Sequence, residues 1–177
     1  MSVYNNVGKP LFPAFLDLSD AEVLVVGRGA EADRKAEKMA YFCRRVVRCD
    51  YPPVFEEKPA LAILAEPGNP DNALWAARFR EMGIPVNVCD RPELSDFRFP
   101  ALITRGPVSV GIATAGAAPV LTGLLRQKID AALPEDLESI LTAAAELTAE
   151  LRQSVPDPNE RTRLLRQELG KLLRCPR

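Results

Sequence analysis

The sequence predicts an α/β protein in which a mostly parallel sheet comes first and helices follow. Two observations carry this prediction. Short apolar runs alternate with amphipathic helical stretches up to Asp90, which is the pattern of parallel strands joined by covering helices. After Pro134 the apolar residues recur only at helical spacing. The chain has 177 residues, 47% hydrophobic and 27% charged, and this composition indicates a globular protein rather than a disordered one.

Four apolar runs are expected to form the sheet. The first does not alternate between apolar and polar residues, so we expect it to be buried on both faces. The predicted strands are 22–27, 45–50, 61–65 and 84–89. A helix follows the first strand, and its buried face is predicted to consist of Ala32, Ala36, Met39 and Ala40. Lys35 is expected off that face. A second helix is predicted over 71–82, with Gly83 at its end.

The segments after Asp90 predict two more strands and three helices. The strands are expected at 97–103 and 108–113, separated by a turn at 105–107. Gly116 and Pro119 open the first of the helices, and the second begins at Pro134. The last begins with Asp157 as capping residue and proline at the first helical position.

Composition excludes several classes of function. The formal net charge is −1 with both signs interspersed, which argues against a nucleic-acid or membrane-surface protein. The four cysteines lack the C-x-x-C spacing of zinc or redox sites, so no metal site is predicted. The start of the chain lacks the apolar segment of a secretory signal, so we expect reduced thiols and a cytoplasmic protein. Because the sequence contains no histidine, a general base has to be a carboxylate, Tyr, Lys or Cys.

A glycine-rich turn follows the first strand and opens the first helix, as in Rossmann-like dinucleotide-binding domains. Gly27, Gly29 and Ala32 match the G-x-G-x-x-A fingerprint. The first glycine allows the tight turn, the second lets the backbone approach a pyrophosphate, and the alanine lets helix and strand pack closely. With Arg28 and Ala30 these residues are the predicted cofactor-binding loop at the helix N-terminus. The alternative is a glycine turn that binds nothing.

Asp50 ends the second strand, close to where such domains place the acidic residue that binds the adenosine ribose. A carboxylate there accepts a hydrogen bond from the 2′-hydroxyl and repels a 2′-phosphate, which favours NAD over NADP. Arg48 lies two residues earlier and weakens that preference. The alternative is a solvated aspartate in a turn.

Several segments of the sequence together match the pattern of one protein family. The N-terminal segments are PLFPAFLDL at 10–18 and the glycine loop with the ADRK sequence at 32–35. The central segments are GIPVNVCD at 83–90, DFRFPA at 96–101 and RGP at 105–107. The segment IATAGAAPVL at 112–121 is similar to a family stretch with a Gly-Gly pair. With these motifs the sequence resembles the precorrin-2 dehydrogenases, which also form the dehydrogenase/ferrochelatase module of siroheme synthases.

The resemblance implies a homodimer that uses NAD to oxidise precorrin-2 to sirohydrochlorin on the way to siroheme. It implies an NAD-binding Rossmann-like domain at 1–112, a dimerisation region at 113–150 and a small helical region at 151–177. It also makes Asp90 the main catalytic candidate, a residue that in some members serves iron insertion as well. The residues themselves are compatible, since Asp90 follows a strand end where open α/β sheets place ligands. The alternative is an aspartate that caps a turn.

Four residues are candidates for binding the carboxylate-rich substrate: Asn87, Arg105, Thr114 and Gly116. For Asn87 the alternative is a bond to a neighbouring loop, and for Thr114 it is a hydroxyl at a helix entry. Arg91, Arg98 and Arg126 are interpreted mainly as surface charges.

The sequence departs from the family pattern in three places, one of which is AEPG at 65–68, after the third strand. The stretch between Asp50 and the third strand is short, so either the protein lacks a βα element or the given sequence omits a segment. Ala115 stands where the family has the first glycine of a pair, so the backbone there is less permissive. These departures leave two alternatives: a non-catalytic NAD- or tetrapyrrole-binding regulatory module, and a dehydrogenase for another small substrate.

Overall fold

The computed structural model describes residues 10–116 and 118–173. The chain divides into two compact units. The first is Ala14–Phe99, and the second combines Pro100–Arg177 with the N-terminal segment Met1–Pro13. The structural division thus falls at residues 99 and 100, whereas the sequence-based boundary lies at 112.

The first unit contains a four-stranded parallel sheet in the order β2-β1-β3-β4. This confirms the predicted α/β class and parallel sheet. The strands are β1 (Leu18–Val26), β2 (Cys43–Cys49), β3 (Leu61–Leu64) and β4 (Val86–Val88). In β1 the residues 23–26 are all at most 5% exposed, so the run without alternation is buried on both faces as expected.

Two helices cover the sheet of the first unit. Helix α1 (Ala30–Ala40) buries Ala32 and Met39 in a core cluster with β1 and β3, and helix α2 (Asn72–Glu81) places Phe79 in a second cluster with β1, β3 and β4. Gly83, at φ +66°, ends α2 as predicted. Its N–H donates to the carbonyl of Arg80 at 2.8 Å, which satisfies one of the free carbonyls of the helix end.

Two expectations about α1 are wrong. Lys35 is only 9% exposed, although the sequence analysis placed it off the buried face, and Ala40 is exposed. The buried residues of α1 are Ala32, Lys35 and Met39, at spacing i, i+3 and i+7, which is also a helical face. The charge of Lys35 indicates an exposed position, whereas the spacing of Ala32, Lys35 and Met39 agrees with its burial.

The connection between β2 and β3 contains no helix. Residues 50–60 cross from one strand to the other as irregular chain, so β2 is an edge strand of the sheet. Phe55 anchors this connection by packing on Phe79, with 6.1 Å between the ring centroids. No strand lies beyond β2 among the residues that the structure describes.

The second unit contains an antiparallel hairpin and three helices. The elements are β5 (Ala101–Arg105), β6 (Val108–Ile112), α3 (Pro119–Ala132), α4 (Leu137–Ser154) and α5 (Pro158–Leu172). The strand predicted at 97–103 begins only at Ala101, because Phe97 and Phe99 pack against the core of the first unit. Asp157 caps α5 as expected, since its carboxylate accepts hydrogen bonds from the N–H groups of Asn159 and Glu160.

The apolar face of helix α3 is left uncovered by the residues that the structure describes. Val120, Leu121 and Leu124 are 79%, 49% and 52% exposed, although the sequence places them on one apolar stripe. None of the helices described in residues 10–116 and 118–173 has the length and hydropathy needed to cross a bilayer.

Candidate functional site

Gly27 is required by the close approach of the chain after β3. Its φ is +132°, and a Cβ built there would lie 2.8 Å from the backbone nitrogen of Glu66. Any larger residue would push the two segments apart, because real side chains do not approach backbone that closely. The turn at the end of β1 is therefore tight for the reason that the fingerprint gives.

Gly29 stands at the N-cap of α1 and faces open space. Its φ is +79° and ψ is −173°, a conformation that is essentially restricted to glycine. No atom lies within 4 Å of a Cβ built on it. Ala30 is exposed at the first helical position, and Ala32 is fully buried against the sheet. The residues of this loop fit a pyrophosphate, because an open helix N-terminus with room for close backbone approach is the usual binding place of that group.

Arg48, on the edge strand β2, donates hydrogen bonds to the glycine loop and to helix α1. Its guanidinium donates to the carbonyl oxygens of Gly27 and Cys49. It also donates to the carboxylate of Asp33 on α1, with nitrogen–oxygen distances of 3.0 and 3.1 Å. One side chain thus joins the strand, the loop and the helix that together form the phosphate-binding turn.

Asp50 and Arg28 lie at the same edge of the sheet. Asp50 is exposed and lies 3.6 Å from the guanidinium of Arg48. Arg28 donates to the carboxylate of Glu66 at 3.2 Å, and this bond raises the pKa of Arg28 above its ordinary value. The guanidinium of Arg28 also lies 5.8 Å from the ring centroid of Tyr51.

Asp90 follows β4 in a turn closed by the N–H of Arg91, which donates to the carbonyl of Val88 at 3.3 Å. Its φ is +59°, one of two positive values among the non-glycine residues that the structure describes. Asp tolerates this region better than most residues, and such conformations cluster at functional sites. Its side chain is exposed. Because all strands of the sheet are parallel, Asp90 and the glycine loop lie at the same carboxyl edge.

A polar cluster lies between α1 and the end of β4. The thiol of buried Cys89 lies 3.6 Å from Oε1 of Glu31, and Nζ of Lys35 lies 3.9 Å from the same oxygen. Burial raises the pKa of Cys89 to about 11, so this thiol stays protonated at neutral pH. Hydrogen bonds from Arg34 lower the pKa of Glu31, whereas burial lowers the pKa of Lys35.

Asn87 lies in β4 and is buried. Its Nδ2 donates to the carbonyl oxygen of Phe97 at 2.9 Å. This bond matches the alternative in which a strand asparagine holds a neighbouring loop. It also positions the segment that carries Phe97 and Phe99 over the face of α1.

The remaining predicted substrate residues belong to the second unit. Arg105 donates to the carboxylate of Asp130 at 2.7 Å, so its charge is already paired. The hydroxyl of Thr114 lies 2.7 Å from that of Thr122 in α3, which matches the alternative of a helix-entry hydroxyl. Gly116 has φ +81°, and Ala115 before it has φ +51°. The alanine therefore adopts a left-handed conformation that costs about 1 kcal/mol or more relative to glycine.

The structure adds residues that the sequence analysis did not single out as site candidates: Glu31, Lys35, Lys38, Glu66 and Cys89. Arg48 was noted only for its charge, yet it holds the glycine loop. The spacing of Ala32, Lys35 and Met39 was a signal for the buried lysine. No local signal pointed to Glu66, because its contact with Gly27 joins segments far apart in the sequence.

Comparisons with curated proteins find siroheme synthases that are similar to this chain. No family model matches the chain. The siroheme synthase of Methylococcus capsulatus is 36% identical over 172 residues, which covers 84% of this chain and 36% of that protein. The siroheme synthase of Nitrosomonas eutropha is 28% identical over 165 residues, which covers 80% of this chain and 35% of that protein. The chain thus spans about a third of the length of these curated relatives.

A solved structure shares the fold. SirC, a precorrin-2 dehydrogenase, superposes with a TM-score of 0.56 at 21% sequence identity. The match covers 91% of this chain and 100% of that one.

Proposed function

This chain belongs to the siroheme synthase family, and we propose that it is an NAD-dependent precorrin-2 dehydrogenase that produces sirohydrochlorin. The observation that carries the proposal is the placement of the glycine loop and Asp90 at the carboxyl edge of one parallel sheet. Open α/β sheets bind their ligands at this edge. The fold shared with SirC supports the same reading.

The glycine loop would hold the dinucleotide. The N–H groups at the start of α1 would bind the pyrophosphate, Gly29 would leave room for it, and Asp50 would accept from the adenosine ribose. When bound, NAD⁺ supplies the hydride acceptor for the oxidation. Arg48 is already engaged by Asp33 and by the carbonyl of Gly27, so it offers no free charge to a 2′-phosphate. We therefore expect tighter binding of NAD⁺ than of NADP⁺.

Asp90 would accept the proton that the substrate loses. The oxidation of precorrin-2 removes a hydride and a proton, and without histidine a carboxylate is the natural acceptor. Asp90 is exposed, so a substrate can reach its carboxylate. Its left-handed backbone fixes the direction in which the side chain leaves the turn.

The role of the predicted substrate residues stays a proposal. Asn87 positions the segment 97–99 through its amide nitrogen, so only its amide oxygen would be available to a substrate. Arg105 would have to exchange Asp130 for a substrate carboxylate, which lowers its value as a binding group. For Thr114 and Gly116 the proposal of a substrate contact rests on the family resemblance alone.

We also propose a homodimer in the cytoplasm. The uncovered apolar face of α3, at Val120, Leu121 and Leu124, supports association through the second unit. Free thiols at Cys43, Cys49 and Cys89 fit a reducing compartment. Light scattering of the purified chain tests the dimer.

Anaerobic turnover tests the proposed function. Purified protein is mixed with NAD⁺ and enzymatically made precorrin-2, and the absorbance of NADH and of sirohydrochlorin is followed together. We expect both to appear in equal amounts. NAD⁺ binding without turnover would instead favour a regulatory module, and turnover of other small substrates but not of precorrin-2 would favour a different dehydrogenase.

A further inference from the structure

Two lysines of α1, Lys35 and Lys38, converge on one aromatic ring. Nζ of Lys35 lies 3.9 Å from the ring centroid of Phe99, and Nζ of Lys38 lies 5.3 Å from it. Lys35 is only 9% exposed. We call these residues the α1 lysine pair. The two positive charges share the negative face of one ring, which attracts cations but accepts no hydrogen bond of ordinary strength.

The lysine pair has no hydrogen-bond acceptor of its own. Among residues 10–116 and 118–173, neither ammonium donates a side-chain hydrogen bond. The nearest carboxylate to Lys35 is Glu31, at 3.9 Å. That carboxylate already accepts two hydrogen bonds from Arg34, at 2.9 and 2.7 Å. Each ammonium carries three donors, and no buried side-chain nitrogen of the described residues lacks a partner, so the free donors of the pair reach solvent and are open to an anionic ligand.

The charges around the pair leave an excess of positive charge. Arg34 neutralises Glu31, and the thiol of Cys89 is uncharged at neutral pH. Asp90 is the remaining carboxylate whose charge acts on Lys35. Burial lowers the pKa of Lys38, and repulsion from Lys35 lowers it further. An incoming anion would relieve this repulsion.

The position along α1 separates this place from the glycine loop. Lys38 is nine residues beyond the N-cap Gly29, which is about 13 Å along a helix. Lys35 is six residues beyond Gly29, about 9 Å, so neither lysine belongs to the first turn, whose free N–H groups form the proposed pyrophosphate site. Phe97 and Phe99 pack edge to face beside the lysines, with 5.6 Å between their centroids, and both rings are half-buried.

We propose that the α1 lysine pair binds a carboxylate of the tetrapyrrole, with Phe99 against the apolar body of that ligand. The proposal rests on the proposed function for the identity of the substrate. It assigns to the pair a binding role distinct from the proton-accepting role of Asp90. It also explains why a lysine occupies a buried position of α1 between Ala32 and Met39.

Binding of uroporphyrin, a stable carboxylate-rich porphyrin, tests the proposal without turnover. Fluorescence titration without NAD⁺ compares the wild type with Lys35→Met, Lys38→Met, the double variant and Lys38→Arg. We expect the dissociation constant to rise about tenfold or more for each methionine, in line with a lost charge-assisted hydrogen bond. Lys38→Arg should retain most of the affinity, and the salt dependence of binding should be weaker in the double variant. Exposed Lys58 provides the matched control, and Lys58→Met should bind as the wild type does.

Two further measurements separate the possible outcomes. Urea unfolding should show that Lys35→Met is at least as stable as the wild type, because it removes a buried charge. Calorimetry with NAD⁺ should show an unchanged dissociation constant. The proposal is overturned if the double variant binds uroporphyrin within twofold of the wild type, if NAD⁺ affinity falls in parallel, or if the wild type binds no porphyrin. A wild type that binds porphyrin through the pair yet never oxidises precorrin-2 would overturn the dehydrogenase proposal alone.

Discussion

Substituting Gly29 by alanine should separate cofactor binding from folding. The added methyl group meets no atom of the chain within 4 Å, so the cost to the fold comes from the backbone alone. A non-glycine residue at φ +79° and ψ −173° costs about 1–3 kcal/mol. The same methyl group points into the open space in which the proposed pyrophosphate would lie, so NAD⁺ binding should weaken far more than the fold.

The effect on binding can be read from stability in the presence of NAD⁺. At a ligand concentration of about 100 times the dissociation constant, NAD⁺ should stabilise the wild type by about 2.7 kcal/mol. If Gly29→Ala weakens binding about thirtyfold, the same NAD⁺ concentration stabilises the variant by only about 0.9 kcal/mol. Urea unfolding with and without NAD⁺ measures both quantities.

A matched substitution at Gly83 controls for backbone strain. Gly83 also has a positive φ, +66°, but it follows α2 at the opposite edge of the sheet. The added methyl group would lie 3.1 Å from Nζ of Lys58, whose flexible side chain can move aside, so Gly83→Ala should lose about 1–2 kcal/mol and keep the full stabilisation by NAD⁺. If Gly29→Ala is stabilised by NAD⁺ as strongly as the wild type, the proposed cofactor loop is refuted.

Three further predictions concern other parts of the site. Asp90→Asn should lower kcat by about 10²–10⁴ with little change in stability, because asparagine also tolerates a positive φ; precorrin-2 turnover measures this. Arg48→Met should raise the NAD⁺ dissociation constant about tenfold, because the loop loses its tie to β2 and Asp33; calorimetry measures it. Between about pH 9 and pH 11 the thiol of Cys89 ionises in the unfolded chain but not in the folded one. The free energy of unfolding should therefore fall by about 2 kcal/mol as the pH rises over this range. Urea unfolding of Cys89→Val should lack this fall.

These predictions have their own controls. Asp71 is exposed at the start of α2 and caps no N–H group, so Asp71→Asn should keep wild-type turnover. Turnover of Asp90→Asn at the wild-type rate would remove the proton-accepting role. Unchanged NAD⁺ affinity in Arg48→Met would show that the loop is rigid by itself. Lys35 has a lowered pKa and changes stability with pH in the opposite direction, so the Cys89 prediction is tested on the difference between wild type and variant.

The local features of the first unit were predictable from the sequence. The strands and the glycine turn depend on residues that are neighbours in the chain, such as Gly27 and Gly29 after the apolar run of β1. In the second unit, the cap of α5 by Asp157 was predictable for the same reason. Each of these features follows from backbone conformation and short-range hydrogen bonds, which a sequence displays directly.

The features that were missed depend on contacts between distant segments. Lys35 is buried because Phe99, far along the chain, covers it. Phe97 and Phe99 were predicted to lie in a strand, but they pack against the core of the first unit instead. The close approach of Glu66 to Gly27 and the bond from Asn87 to Phe97 likewise join separate parts of the sequence. Burial of this kind depends on packing between segments that are distant in the sequence, and the spacing of residues along the chain does not predict it.

A crystal structure of the protein with NAD⁺ tests the central claim most directly. We predict that the pyrophosphate lies within hydrogen-bond distance of the N–H groups at the start of α1, with the nicotinamide end toward Asp90. A dinucleotide bound anywhere else on the protein, or a nicotinamide directed away from Asp90, would contradict the account.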